Sequence, residues 1–309
     1  MEACSSISWN FFLCLRRRFV ARCRVHSDRG YRIVKLVNGV CSVRSLAHRE
    51  TFHPVIGPVA EAEALYVKQL RLAERLREHR GEFVIWDVGL GAAANALTVL
   101  RAAREAPCSI RLLSFDHTVE PLWFALGQAE ALGYFHGYEE SVAHLVAHHR
   151  VAFVANRLTV EWQLCLADFP NLLEQPVARN LAKPHAILFD PYSPATNPAM
   201  WTQPLFARLF QLLDPHRPCA LPTYSRSTML RVSLLLAGFF VGSGHATGEK
   251  EETTIAANTL DLITEPLDRK WLRRVRQSTS AEPLWEANYR QAPLAPETWA
   301  RLCQHPQFR

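Results

Sequence analysis

Residues 83–95 read FVIWDVGLGAAAN, and their order decides the fold: an apolar run, one acid, two spaced glycines, then an alanine-rich run. Phe83 to Trp86 have the bulk and length of a buried strand. Ala92 to Ala103 are dominated by helix formers. Gly89 and Gly91 lie between, where a missing side chain allows a sharp turn and lets a ligand approach the backbone. Strand, tight turn and helix in that order outline a nucleotide pocket.

A dinucleotide fingerprint carries a third glycine three residues on; here that position is Ala94, a tolerated replacement, so the glycines alone do not name the ligand. Asp87 says more. A carboxylate before the glycines repels a pyrophosphate but attracts a cationic amino-acid end, such as the ammonium of S-adenosyl-L-methionine. Class I methyltransferases use an acidic strand end followed by GxG in this way. A strand-turn-helix without a ligand is the competing reading.

The βα alternation continues after residue 103, which predicts a mostly parallel sheet. Ile110 to Phe115 form a second strand, and Asp116 ends it 25 residues beyond Gly91. That is close to the spacing at which an acid bonds ribose hydroxyls; a helix N-cap fits the same position. Helices are expected over 121–132 and 139–149, with His136, His144, His148 and His149 on solvated faces. Val160 to Leu166 form a third strand leading to Asp168 and Phe169, where an acid meets the adenine amino group or caps the next helix.

His185 to Asp190 form a fourth strand that runs into DPYSPATNPAMW, residues 190–201. Pro191, Pro194 and Pro198 stiffen this loop, as suits a segment that holds a reacting group still. Ligands of open α/β sheets sit beyond the carboxyl ends of the strands, so Asp190 faces the glycine loop. An amine nucleophile must be uncharged to attack a methyl group. Asp190 is suited to orient its hydrogens and take the excess charge, and Tyr192 to stack on a base. A proline-rich connector is the alternative.

WDVGLGAAAN at 86–95, DPYSPATNPAMW at 190–201, TQPLFARLFQLL after it, AGFFVGSG at 237–244 and the Gly-Glu-Lys-Glu run at 248–251 together resemble the MnmC-type tRNA methyltransferases. The resemblance covers roughly residues 50–255. It implies S-adenosyl-L-methionine as cofactor, tRNA as partner, and methylation of the aminomethyl nitrogen of 5-aminomethyl-2-thiouridine at the wobble position. Gly89, Gly91 and Asn95 match that family's GxGxxxN loop, with Asp87 where Glu is usual. Asp190 matches the acid that holds the amine, and Asn197, Pro198 and Trp201 the loop beside it. Pro191 and Tyr192 depart from the family's Gly and Phe, and Glu251 and Glu252 stand where a basic residue is expected, leaving the nucleoside open. Asp-Pro-Tyr also resembles the Asp-Pro-Pro-Tyr motif of amino-methyltransferases. The flavin-dependent oxidase domain of bifunctional members has no counterpart here, so a separate upstream oxidase is an expected partner.

The remaining chain sets the boundaries. With 309 residues, 49% hydrophobic and 21% charged, it can bury a full core. Its formal charge of +6 suits a polyanionic partner. Eight cysteines without a CxxC pair look like free thiols of a reducing cytoplasm, and no metal ligand set or membrane span is expected. Residues 1–29 read as a poorly ordered or mis-started extension, with a basic arm as the alternative. Residues 30–80 read as an N-terminal β-hairpin turning at Asn38-Gly39, then a lead-in helix over 61–80. Residues 81–265 form a Rossmann-like α/β methyltransferase domain ending in a fifth strand (219–224), a helix (228–236) and an antiparallel hairpin built from 239–241 and 253–263. Residues 266–309 form a basic, aromatic tail that packs on the body. Competing functions are methylation of another RNA position or a small amine, a non-catalytic cofactor-binding RNA protein, and an aminopropyl transferase, for which no acidic channel is evident.

Overall fold

A computed structural model of the protein describes residues 30–248 and 250–309. The extension expected over 1–29 lies outside these residues, as does Glu249.

The N-terminal hairpin pairs β1 (Tyr31–Lys35) with β2 (Cys41–Ser45) in antiparallel register, Lys35 opposite Cys41. Its connection is longer than a two-residue Asn-Gly turn. Leu36 donates to the Val40 carbonyl and Gly39 to Leu36, so three residues make the loop and only Gly39 takes positive φ, +85°. Asn38 instead donates its amide to the Ile56 carbonyl at 3.1 Å, tying the hairpin to the following segment.

The lead-in helix is not continuous. Helix α1 (Pro58–Ala62) passes into a π-helical stretch (Glu63–Lys68), and α2 (Leu72–Glu78) starts only after Arg71 has taken a left-handed φ of +51°. Composition favours helix throughout, but packing wins: Leu65 and Tyr66 are fully buried, and the wide turn lets them face the core.

The central sheet then builds from β3 (Glu82–Val88), β4 (Ser109–Asp116), β5 (Arg150–Ala155), β6 (Leu158–Leu166), β7 (Ala186–Phe189), β8 (Ala220–Thr223), β9 (Phe240–Gly244) and β10 (Thr253–Ala257). Their order is β5-β6-β4-β3-β7-β8-β10-β9. Strands β6, β4, β3, β7 and β8 are parallel; β5 and β10 run against them, and edge strand β9 pairs antiparallel with β10. Strand β5 is not among the strands expected from the sequence, although residues 151–155, VAFVA, are an apolar run; in the fold it is an edge strand whose burial alternates. The last strand ends at Ala257, short of the expected Ile263, and a 3₁₀ turn occupies Leu260–Leu262.

Strand β3 shows why the centre is decided locally. Phe83 and Ile85 join the core on one face, Val84, Trp86 and Val88 the core on the other, so every residue from 83 to 88 is buried. Helices α3 (Ala94–Ala103), α4 (Glu120–Gly127), α5 (Ala129–Leu132), α6 (Glu139–His148), α7 (Phe169–Glu174), α8 (Gln203–Leu212) and α9 (Thr228–Ala237) cover the sheet. The tail adds α10 (Arg269–Val275) and α11 (Pro296–Cys303), whose Trp271, Val275 and Leu302 are buried in the same core as Trp86. Parallel strands β3 and β7 lie side by side with chain connections diverging to opposite sides, and their carboxyl ends open the crevice described next.

Candidate active site

The crevice is a cavity of about 730 Å³ walled by the turns after β3, β4, β6 and β7 and roofed by residues 48–54. A drug-sized ligand fits that volume.

Gly89 and Gly91 form its floor, and each is glycine for a visible reason. Gly89, at φ +89°, would place a Cβ 2.7 Å from the Asp190 carbonyl oxygen; Gly91, at φ +51°, would place one 3.2 Å from the Phe52 ring. The turn is drawn toward β4, since Gly89 and Leu90 donate to the Phe115 carbonyl at 3.0 and 3.3 Å. Asp116 completes the clamp. Its Oδ2 accepts from the Gly91 amide at 2.9 Å and its Oδ1 from the His117 amide at 2.8 Å. Asp116 is not the N-cap of α4, a position Val119 takes, and it lines the cavity with acceptor capacity left over. Asp168 is the cap of α7, its Oδ1 accepting from Asn171 at 3.0 Å, and it also lines the cavity beside Phe169.

Asp87 stands elsewhere. It is fully buried and does not line the cavity. Its Oδ2 accepts from Ser114 at 2.8 Å, and Ser114 in turn accepts from the Trp162 ring at 2.9 Å. Its Oδ1 has no partner among the described residues. Burial raises the Asp87 carboxyl to about 7, the Ser114 bond working against it and the charges of Asp190 and Asp116 adding to it.

The loop after β7, expected from sequence to carry the reacting group, begins at Asp190, one strand over from the glycines. Asn95, on the first turn of α3, donates to Asp190 Oδ2 at 2.7 Å, and the His53 Nε2 lies 3.6 Å from the same oxygen. The side chain is 12% exposed and faces the cavity. Burial lifts the Asp190 carboxyl to about 6, while His53 and Asn95 pull it down. Beyond it, Tyr192 packs on His48, ring centroids 4.3 Å apart, and on Phe52 at 5.7 Å. Asn197 lines the cavity, whereas Pro194, Pro198 and Trp201 do not. Trp201 is a fully buried strut that donates to the Tyr192 carbonyl at 2.8 Å.

Four contributors were not singled out from sequence: Glu50, Phe52, His53 and Glu61. Glu50 holds the loop after β7, accepting from the Ser193 amide at 3.2 Å and from the Ser193 and Thr196 hydroxyls. His53 sits in left-handed backbone, φ +48°, with Nδ1 3.3 Å from Glu61 Oε1. These residues belong to a loop and a short helix outside any motif; only the position of His53 before Pro54 and a glycine hinted at a rigid segment. Ligand atoms of His53, Glu61 and Asp190 lie within 4.8 Å of one another. The two ring nitrogens face different carboxylates, so the imidazole bridges the acids rather than joining them around one point.

Known proteins resemble this chain in sequence and in fold. Residues 135–259 match a family model described as S-adenosyl-L-methionine-dependent methyltransferase. The chain is 31% identical over 206 residues to the tRNA 5-methylaminomethyl-2-thiouridine biosynthesis bifunctional protein MnmC of Aeromonas hydrophila, 63% of this chain and 30% of that protein. It is 26% identical over 259 residues to the MnmC of Cupriavidus necator, 81% of this chain and 34% of that one. The chain thus spans about a third of the length of these relatives. The crystal structure of MnmC2 from Aquifex aeolicus superposes with a TM-score of 0.65 at 23% identity, over 97% of this chain and 92% of that one, and shares the fold. The chain is thus similar to S-adenosyl-L-methionine-dependent methyltransferases over residues 135–259 and to the MnmC proteins over 63% to 81% of its length.

Proposed function

We propose that the protein methylates the aminomethyl nitrogen of 5-aminomethyl-2-thiouridine at the tRNA wobble position. The observation that carries the reading is the Asp190 carboxylate, held by Asn95 beside Gly89 and facing the cavity. The names of the relatives, which concern 5-methylaminomethyl-2-thiouridine biosynthesis, supply the substrate class.

The cavity fits the cofactor. Gly89 and Gly91 leave a cradle that a Cβ would fill, and the buried Oδ1 of Asn95, which lines the cavity, lacks a partner among the described residues. Asp116 is assigned the ribose hydroxyls and Asp168 the adenine amine, with Phe169 against the ring. Asp87 answers the ligand's positive end from behind the wall, through the field of a buried carboxylate rather than by contact. When bound, S-adenosyl-L-methionine supplies an electrophilic methyl group. The protein's own residues do the rest: Asp190 takes a proton from the amine, Tyr192 with His48 offers a face for a base, and the clamped loop from Ser193 to Trp201 holds the nucleoside and keeps water out. Cytoplasmic location and supply by a separate oxidase belong to the same reading.

The test is mass spectrometry of wobble nucleosides from the tRNA of a deletion strain, before and after incubation with purified protein and S-adenosyl-L-methionine. The expected result is accumulation of 5-aminomethyl-2-thiouridine, which then gains one methyl group. Asp190→Asn should slow transfer by about 10² to 10⁴-fold, the usual worth of a positioned base, while cofactor affinity measured by calorimetry stays within a few-fold. A normal wobble profile with methylation of free small amines would replace the substrate.

A further inference from the structure

We propose that His53, clamped by Glu61, is a positioning residue of the transfer: it keeps Asp190 as the charged acceptor of the amine's proton. The inference rests on the reading of Asp190 given above and extends it to two residues that no motif contains.

The geometry is a three-member line. Asp190 Oδ2, His53 Nε2, His53 Nδ1 and Glu61 Oε1 follow one another at 3.6 Å, across the ring, and at 3.3 Å. All three side chains are nearly closed to solvent, at 12%, 9% and 7% exposure. Two buried carboxylates facing one imidazole favour the protonated ring, which offsets one of their two negative charges. The fold also accepts a left-handed, non-glycine backbone at His53 to aim the ring, the kind of strain found where a site constrains a side chain. Around His53 stand Asp190 from the loop after β7, Glu61 from α1 and Lys250 from the β9–β10 connection. Tyr66 from the π-helical stretch and Tyr224 after β8 close the same corner, facing Asp190 and Glu61. Lys250 opposes the charging of His53, but its ammonium is drawn off toward the Tyr224 carbonyl, 3.2 Å away. The two carboxylates outweigh burial and raise the imidazole above its ordinary value, and the imidazole lowers Glu61.

The consequence concerns one proton. A primary amine reaches the site as an ammonium. Asp190 takes one N–H proton and leaves its electron pair on nitrogen; that pair forms the N–C bond as the C–S bond of the sulfonium breaks toward sulfur. The product is a protonated secondary amine, and the proton on Asp190 returns to water. Asp190 performs this step only as a carboxylate, and burial alone would favour its acid form. The imidazolium offsets that burial.

The test has a spectroscopic and a kinetic arm. Nitrogen-15 NMR of the imidazoles in the intact protein should show His53 titrating above the ordinary histidine value, and Glu61→Gln should lower that midpoint. The pH profile of kcat/KM on tRNA should have an acid limb near the Asp190 value in the parent. In His53→Asn that limb should move upward by about one unit, so the rate falls about threefold at pH 6.5 and about tenfold well below both limbs, while the rate at pH 9 nearly recovers; Glu61, whose own charge raises Asp190, is read by the NMR arm. His53→Lys, which restores a cation, should bring the limb back. Should His53→Asn fail to fold, Glu61→Gln and the NMR titration of the parent decide. A His53 that titrates at or below the ordinary value, or variants that lose rate equally at every pH, overturn the proposal. If tRNA is not the substrate, the NMR arm still stands or falls by itself, which separates the two failures.

Discussion

Asp87 is the residue where folding and function pull in opposite directions. A carboxyl raised from about 4 unfolded to about 7 in the fold binds its proton more tightly when folded. Its contribution to stability is therefore whole below pH 4 and is lost as pH rises toward 7 and beyond. Three units correspond to a cost on the order of 4 kcal/mol for the ionised form. Asp87→Asn keeps the volume and the acceptor for Ser114 and removes that cost. The variant should melt slightly above the parent at pH 5, where about a third of that cost is present, and several degrees above it at pH 8, by thermal denaturation without ligand. The sulfonium ligand should then stabilise the parent more than the variant. A parent as stable as Asp87→Asn at pH 8 would mean that water reaches the carboxylate. The sequence marked this residue as important, and the glycines after it, because strand, acid and turn are contiguous. It left open that Asp87 lies behind the wall, since a side chain's depth depends on Ser114 and Trp162, 27 and 75 positions away.

At the scale of elements, the segment between β2 and α1 does most to complete the site. It runs back along β2: Ser45 donates to the Glu50 carbonyl at 2.9 Å and Phe52 to the Val43 carbonyl at 2.8 Å. That pairing delivers Glu50 to the loop after β7, Phe52 to Gly91 and His53 to Asp190. Charge-assisted bonds to a carboxylate are worth about 1.5–3 kcal/mol each. Glu50→Ala removes those that fix Ser193 and Thr196, so KM for the RNA should rise roughly 10- to 100-fold with cofactor affinity unchanged; steady-state kinetics with calorimetry measures both. Unchanged KM would show that the loop's prolines suffice. None of this was legible from residues 46–57, which carry no periodicity and no motif. The parallel strands were legible because each is a short apolar run between turn signals; β5, VAFVA after Arg150, is such a run too, but it follows directly on the preceding helix and only its edge position in the fold sets it apart.

Over the whole molecule, the tail is structural. Trp271, Leu284, Leu302 and Phe308 are each at most 7% exposed and belong to the core that holds Trp86 and Trp201. Gln307 seals the outer strand, accepting from the Val241 amide at 2.8 Å and donating to the Val241 and Leu267 carbonyls at 2.7 and 2.8 Å. Glu282 pins the turn before α11 through Trp285, Ala295 and Thr298. Burying four such side chains is worth roughly 1.5–3 kcal/mol apiece, a sum comparable to the net stability of a typical domain. Deleting residues 268–309 should therefore abolish cooperative unfolding in circular dichroism; a truncated chain with a sharp transition would make the tail an accessory. The outward side of α10 keeps Lys270, Arg273 and Arg274 exposed, and no helix among the described residues is long and apolar enough to cross a membrane.

What the sequence determined by itself was whatever depends on neighbours in the chain: the strand-turn-helix at 83–103, the parallel alternation, the acids at strand ends, and the stiff loop after Asp190. Apolar runs, glycine turns and prolines act over a few residues, so their order is enough. Tertiary structure alone decided the rest: that Asp87 is a buried charge, that Trp201 is a strut, and that His53 and Glu61 stand against Asp190. Those facts depend on which distant segments meet at the end of the sheet, and on the burial that turns an ordinary carboxylate into one poised near neutrality.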